Sequence, residues 1–112
     1  MVQLDYLEEL KAIRKCVQLP RYRVGVFTEY VHDAESVYTD FVNEIYSDEE
    51  EKDAISKVQY RYIAFKNGSS IRFLGAIDNA RGHKFNLVLY SKDIDMDNLY
   101  HVLACTEFRY EE

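Results

Sequence analysis

Residues 56–92 constrain the fold more than any other stretch of the 112-residue chain, because they contain three strand patterns in succession. Two short runs of alternating apolar and polar side chains lie on either side of Asn67-Gly68. Because Asn and Gly tolerate a positive φ, this dipeptide is typical of a type I′ turn, and a β-hairpin is predicted over residues 58–75. The almost continuous apolar run at 85–90 is typical of a strand buried on both faces of an α/β sheet.

Apolar side chains recur at helical spacing in three further segments, and helices are predicted at about 3–14, 33–46 and 95–102. Asp33 and Asp95 are the predicted N-caps of the second and third helices. Additional short strands are predicted at 16–19, 23–28 and 103–109. This mixture of elements predicts an α/β fold with a mixed sheet, in which 24–28 and 85–90 are neighbouring buried strands and the hairpin lies at an edge.

The composition fits a single α/β domain over residues 1–112, since 47% hydrophobic residues in a chain of this length are enough for a core. No run approaches the roughly 18 apolar residues that span a bilayer, and the acidic residues near the N-terminus are not typical of a signal peptide. We therefore expect a soluble cytoplasmic protein that does not enter membranes. Cys16 and Cys105 lack the spacing of a metal site and are expected to be buried, reduced thiols.

The hairpin with its Asn-Gly-Ser turn, the loop with Arg81-Gly82 and the buried strand after it occur in an order that resembles a segment of phage terminase-type P-loop NTPases. Residues 13–21, which end in Pro-Arg, are similar to the strand that leads into the phosphate loop of that family. Residues 23–28 and the helix after them are similar to its next strand-helix unit. The resemblance implies an NTPase-like α/β core of phage origin that works in the cytoplasm of a host cell.

The chain departs from that family at both parts that bind nucleotide and metal. The phosphate-loop pattern G-x-x-x-x-G-K-[ST] is missing, because Tyr22 and a strand follow directly on Pro20-Arg21. Ser91-Lys92 stands where the family has an acidic pair that binds a metal ion. The resemblance therefore implies a catalytically silent module, and we expect no enzyme activity, no cofactor and no metal site.

Charge is sorted along the chain into blocks of opposite sign, within a net charge of −6. The regional sums are +2 for residues 1–28, −9 for 29–56, +6 for 57–92 and −5 for 93–112. Such blocks favour long-range attraction to a charged partner.

The acidic block predicts a binding site for a basic host or phage protein. Its candidate residues lie on the second predicted helix and just after it: Asp40, Glu44, Asp48, Glu49 and Glu50. Carboxylates at these positions can stand in for DNA phosphates and occupy a basic groove of the partner. An acidic domain repels DNA at long range, so the net charge favours a protein partner over nucleic acid.

Nucleic acid is the alternative partner, bound by basic side chains of the hairpin and the loop after it, with Tyr60 and Tyr62 for base stacking. The candidate residues are Arg61, Lys66, Arg72, Arg81 and Lys84. A third hypothesis is a small enzyme with its site in the 78–84 loop, at a strand end where α/β sheets place their sites. An uncovered hairpin edge also permits a homodimer through strand pairing.

Overall fold

The computed structural model describes residues 1–76 and 83–104, together with the backbone at 107–108. Within these residues the helices are α1 (Tyr6–Gln18), α2 (Val31–Tyr46), α3 (Glu49–Asp53) and α4 (Met96–Leu103). The strands are β1 (Val2–Gln3), β2 (Arg23–Thr28), β3 (Ile55–Gln59), β4 (Tyr62–Phe65), β5 (Ser70–Gly75), β6 (Lys84–Phe85), β7 (Leu87–Tyr90) and β8 (Glu107–Phe108).

A six-stranded mixed sheet forms the centre of the fold, with the strand order β1-β7-β2-β5-β4-β3. The first four strands in this order are parallel neighbours, whereas β4 and β3 continue the sheet in antiparallel pairing. The predicted α/β class with a mixed sheet is therefore confirmed, and so is the pairing of β2 with β7. Strands β6 and β8 form a separate parallel pair.

The hairpin predicted over 58–75 is present, but it consists of three strands and its turn type was predicted wrongly. A tight turn at Tyr60-Arg61, where Arg61 has a φ of 57°, separates β3 from β4. The turn between β4 and β5 is not type I′, because Gly68 has a positive φ of 89° and Asn67 does not. Strand β5 lies inside the sheet beside β2, so β3 is the only one of these three strands that lies at an edge of the sheet.

Asn67 is held by contacts with α1. Its side-chain amide donates hydrogen bonds to three carbonyl oxygens at the end of that helix, those of Cys16 (2.8 Å), Val17 (3.3 Å) and Leu19 (3.1 Å). The last carbonyls of a helix have no partner within the helix, so this side chain satisfies them. The helix therefore continues through Gln18, and the predicted strand at 16–19 is wrong.

Other predicted boundaries differ by a few residues for local reasons. The first helix begins after β1 pairs with β7, and Asp5 caps it by accepting a hydrogen bond from the Glu8 N–H at 2.8 Å. Helix α2 begins before Asp33, which is therefore not its N-cap. Asp95 caps α4 as predicted, by accepting hydrogen bonds from N–H groups of the first turn. Of the strand predicted at 103–109, Leu103 belongs to α4 and residues 107–108 form β8, whereas residues 105, 106 and 109 lie outside the described residues.

The buried strand predicted at 85–90 is interrupted at Asn86. The side-chain oxygen of Asn86 accepts a hydrogen bond from the Arg23 N–H at 2.9 Å, and its own N–H donates to the Arg23 carbonyl at 2.7 Å. Phe85, just before it, packs onto the sheet at Gly25, where an added Cβ would lie 2.9 Å from the ring. The interruption thus lets one aromatic side chain cover the sheet beside β7.

The two faces of the sheet are covered unequally. Helices α1 and α2 cover one face, where the larger core includes Phe41 and Phe73. Helix α4 and Phe85 cover part of the other face, in a smaller core with Phe27. Partly exposed polar side chains, among them Arg72, remain on β4 and β5. Each face of the sheet therefore carries one candidate binding surface: an acidic one at α1 and α2, and a basic one beside Arg72.

Candidate functional site

An open groove with a volume of ≈ 460 Å³ lies between the first turns of α1 and the middle of α2. Its acidic side chains are Asp5, Glu9, Asp40 and Glu44. On each helix the two acids are four residues apart, which places them one turn from each other on the same side. None of the described residues that line the groove is basic, so the charge that it carries is negative.

Glu9 lies deepest among these acids and is only 8% exposed. It belongs to the buried side of α1, which it shares with Ala12, Ile13 and Cys16. No described group makes a hydrogen bond or an ion pair with its carboxyl group. Burial, and then the negative charges of Asp40 and Glu44, raise the pKa of Glu9 to about 7.

The rim of the groove is formed by Tyr6, Asp40 and Glu44. The Tyr6 hydroxyl donates a hydrogen bond to Oε1 of Glu44 at 2.9 Å, and this bond raises the pKa of Tyr6. Asp40 is exposed, and Tyr6 remains 62% exposed in spite of its bond. A large amphipathic ring beside carboxylates offers contact area to a bound partner.

The arrangement suits an ammonium or guanidinium group better than a metal ion. In the part of the chain that the structure describes, no three His, Cys, Asp or Glu side chains are placed to hold a metal. A Lys or Arg side chain needs an apolar path for its stem and carboxylates around its head. Leu4 and Val37 line the groove and provide the apolar path for the stem. The acids of the groove provide the carboxylates for the charged head.

The other predicted acidic residues do not line the groove. Asp48 caps α3 by accepting a hydrogen bond from the Glu51 N–H at 3.0 Å. Glu50 binds Arg14 with an N···O distance of 3.1 Å, and Glu49 is exposed. The structure therefore brings Asp40 and Glu44 together at one site and leaves the three acids after α2 outside it.

Among the described basic residues, Arg61 and Lys66 do not line a pocket with Arg72 and Lys84. Arg61 lies just before β4 and Lys66 just after it. The four residues of this strand, each of which adds about 3.3 Å, therefore lie between them. Arg61 also donates a hydrogen bond from Nη1 to the Phe73 carbonyl at 3.2 Å. Arg72 and Lys84 do meet, at a pocket on the other face of the sheet. Arg81 lies outside the described residues.

Sequence reasoning predicted Asp40 and Glu44 and missed the other residues that line the groove, among them Tyr6 and Glu9. A signal for Glu9 is present, because a carboxylate there is followed by apolar residues three, four and seven positions later. That spacing places Glu9 on the buried stripe of an amphipathic helix, where an acid needs a partner. No comparable pattern marks Tyr6, whose role depends on the distant Glu44.

Comparison with known proteins finds no family model, no curated protein and no solved structure that matches this chain. The resemblance to terminase-type NTPases thus stays a prediction from the residues. Of the 78–84 loop, only His83 and Lys84 lie within the described residues, so the enzyme hypothesis also stays a prediction. No helix in the ranges 1–76 and 83–104 is long and apolar enough to cross a membrane.

Proposed function

We propose that the protein is a catalytically silent interaction protein that binds a basic segment of a host or phage protein in the acidic groove. Its NTPase-like character and phage origin follow from the sequence resemblance. The observation that carries the proposal is Glu9, a residue only 8% exposed that lines the groove and has no hydrogen-bond or ion-pair partner for its carboxyl group among the described residues. Because buried charges are normally paired, a cation supplied by another molecule accounts for this side chain.

A Lys or Arg side chain of the partner would complete the groove. Its charged head would approach Glu9 and Glu44, while its stem would lie along the apolar wall at Val37. Truncating one partner of a buried, hydrogen-bonded charge pair costs about 2–5 kcal/mol of binding, whereas an exposed pair contributes about 0.2–1 kcal/mol. Affinity should therefore depend on Glu9 and Glu44 far more than on the exposed acids.

The exposed acids have a different part in this proposal. The block over residues 29–56 carries a charge of −9, which attracts a basic protein from a distance and raises the rate of encounter. Asp48 and Glu49 are exposed members of this block. Salt screens such interactions over about 8 Å at physiological ionic strength, so added salt should slow association more than it speeds dissociation.

Fluorescence anisotropy with a labelled peptide rich in Lys and Arg tests the proposal. The variant Glu44→Gln removes one charge from the groove, and the matched control Glu49→Gln removes one charge outside it. We expect Glu44→Gln to weaken binding about tenfold or more and Glu49→Gln to weaken it by about twofold or less. Equal losses in the two variants would mean that the peptide binds by general charge attraction, which contradicts a groove site.

Nucleic-acid binding is the second candidate, and one observation favours it: Arg72 and Lys84 line the same pocket. A gel-shift titration of a single-stranded oligonucleotide at low salt tests this candidate. Retardation that disappears in Arg72→Glu, with no binding of the basic peptide, would favour nucleic acid over the groove.

A further inference from the structure

We infer that a small basic pocket on the other face of the sheet binds a single phosphate group, independently of the acidic groove. The pocket has a volume of ≈ 200 Å³, below the roughly 300–1,000 Å³ of typical ligand pockets. Its ionisable side chains are Arg23, Arg72, His83 and Lys84, with no acid among the described residues that line it. Size and charge together suit one anionic group better than a whole nucleotide.

The register of the sheet brings the two arginines to the same place. Arg23 on β2 pairs with Ser70 on β5, and two residues further along Gly25 pairs with Arg72. Alternate residues of a strand point to the same face, so Arg23, Ser70 and Arg72 share one side of the sheet. Because Gly25 has no side chain, the Phe85 ring packs onto it and forms one wall of the pocket.

Arg72 is oriented by an aromatic ring instead of being neutralised by an acid. Its Cζ atom lies 4.3 Å from the centroid of the Tyr62 ring. No described carboxylate forms an ion pair with Arg23 or Arg72. A guanidinium that lies over an aromatic ring and has no carboxylate partner retains N–H groups that can donate to phosphate oxygens.

His83 adds a hydrogen-bond donor to the same pocket. Its ring packs against Phe85, with the two centroids 5.9 Å apart. Burial, and then the positive charge of Arg72, lower the pKa of His83, which favours the neutral ring. A neutral imidazole still has one N–H to donate to a phosphate oxygen. The pocket thus offers guanidinium and imidazole donors to one anion.

Two-dimensional ¹H–¹⁵N NMR titrations test this inference with three probes: inorganic phosphate, a nucleoside 5′-monophosphate and a single-stranded oligonucleotide without terminal phosphates. We expect saturable shifts of the amide signals of Ser70, Arg72 and Lys84. Shifts with the first two probes only would support the site and identify a phosphate monoester as its ligand. Shifts with the oligonucleotide only would overturn the inference, because a site for one phosphate group must also bind inorganic phosphate, and would favour the nucleic-acid candidate.

Charge-removing variants separate the pocket from general charge attraction. We expect Arg72→Gln and Arg23→Gln each to weaken binding of the effective probe about tenfold or more. The control Lys66→Gln, an exposed change outside the pocket, should weaken it by about twofold or less. Arg23 is exposed, so its variant keeps the test valid if Arg72→Gln unfolds. Two results would overturn the inference. One is the absence of a saturable shift with every probe, and the other is an equal loss of affinity in Arg23→Gln and Lys66→Gln.

Discussion

Replacing Glu9 with Gln should stabilise the folded protein at alkaline pH and have little effect in acid. Gln has nearly the shape of a protonated Glu but never ionises. The pKa of Glu9 is raised from 4.5 to about 7, mainly by burial, so the folded protein accommodates the neutral acid better than the carboxylate. This contribution to stability is fully present below pH 4.5 and is lost as the pH rises through about 7.

The size of the effect follows from the same two pKa values. The pKa rises from 4.5 to about 7. At about 1.4 kcal/mol for each pKa unit, this rise sets an upper bound of about 3 kcal/mol on the change in the free energy of unfolding. The variant should therefore exceed the wild type in free energy of unfolding by about 1–3 kcal/mol at pH 8 and by nearly zero at pH 4. Other carboxyl groups titrate in both proteins, so their contributions cancel in this difference.

Urea denaturation of both proteins at intervals from pH 4 to pH 8 measures that difference. Glu8→Gln is the matched control, because Glu8 is the residue of α1 just before Glu9. Its ion pair with Lys11, at 3.5 Å, contributes little to stability. Its difference from the wild type should stay within about 0.5 kcal/mol across the range. A difference for Glu9→Gln that is constant over pH would refute the reasoning, because it would show that the carboxyl group has an ordinary pKa.

Three further predictions concern the fold and the expected lack of activity. Gly25→Ala should reduce the free energy of unfolding by about 1–3 kcal/mol, because its Cβ would overlap the Phe85 ring, and Phe85→Leu should restore part of the loss in the double variant. Asn67→Ala should cost about 1–3 kcal/mol in thermal unfolding, since the carbonyls at the end of α1 lose their donor. Asn98→Ala is its control, because that amide makes one exposed bond of 3.4 Å, and an equal loss would count against the prediction. Pure protein should release no phosphate from ATP with Mg²⁺, and turnover proportional to protein concentration would contradict a catalytically silent module.

Strands β2 and β7 could be predicted from the sequence because their signal is local. Each is a short run of apolar residues, and such a run can be buried only inside a covered sheet. The N-cap of α4 was predictable for the same reason, since Asp95 and the N–H groups that it accepts from lie within one turn. Predictions of this kind need no knowledge of distant residues.

The hairpin turn and the end of α1 could not be predicted because they depend on each other. Asn67 lies about 50 residues from the carbonyls that it binds, a separation that no local pattern reports. Once its side chain is used in this way, the Asn-Gly dipeptide no longer forms the type I′ turn that its composition favours.

The acidic site was predictable only in part. Asp40 and Glu44 could be assigned to one side of a helix from their spacing of four residues. Their meeting with Glu9 depends on how α1 packs against α2, which the helical patterns do not specify. The charge blocks indicated that a charged surface exists, and the packing of the two helices decides where its buried acid lies.

The most direct test of the proposed groove is the pKa of Glu9 itself, measured with and without the basic peptide. NMR of the side-chain carboxyl carbon follows the titration of this one group, with the peptide at saturating concentration. A cation bound in the groove favours the carboxylate, so the pKa should fall from about 7 toward its ordinary value of 4.5 or below. A peptide that binds tightly and leaves this pKa at about 7 would show that it binds elsewhere on the protein.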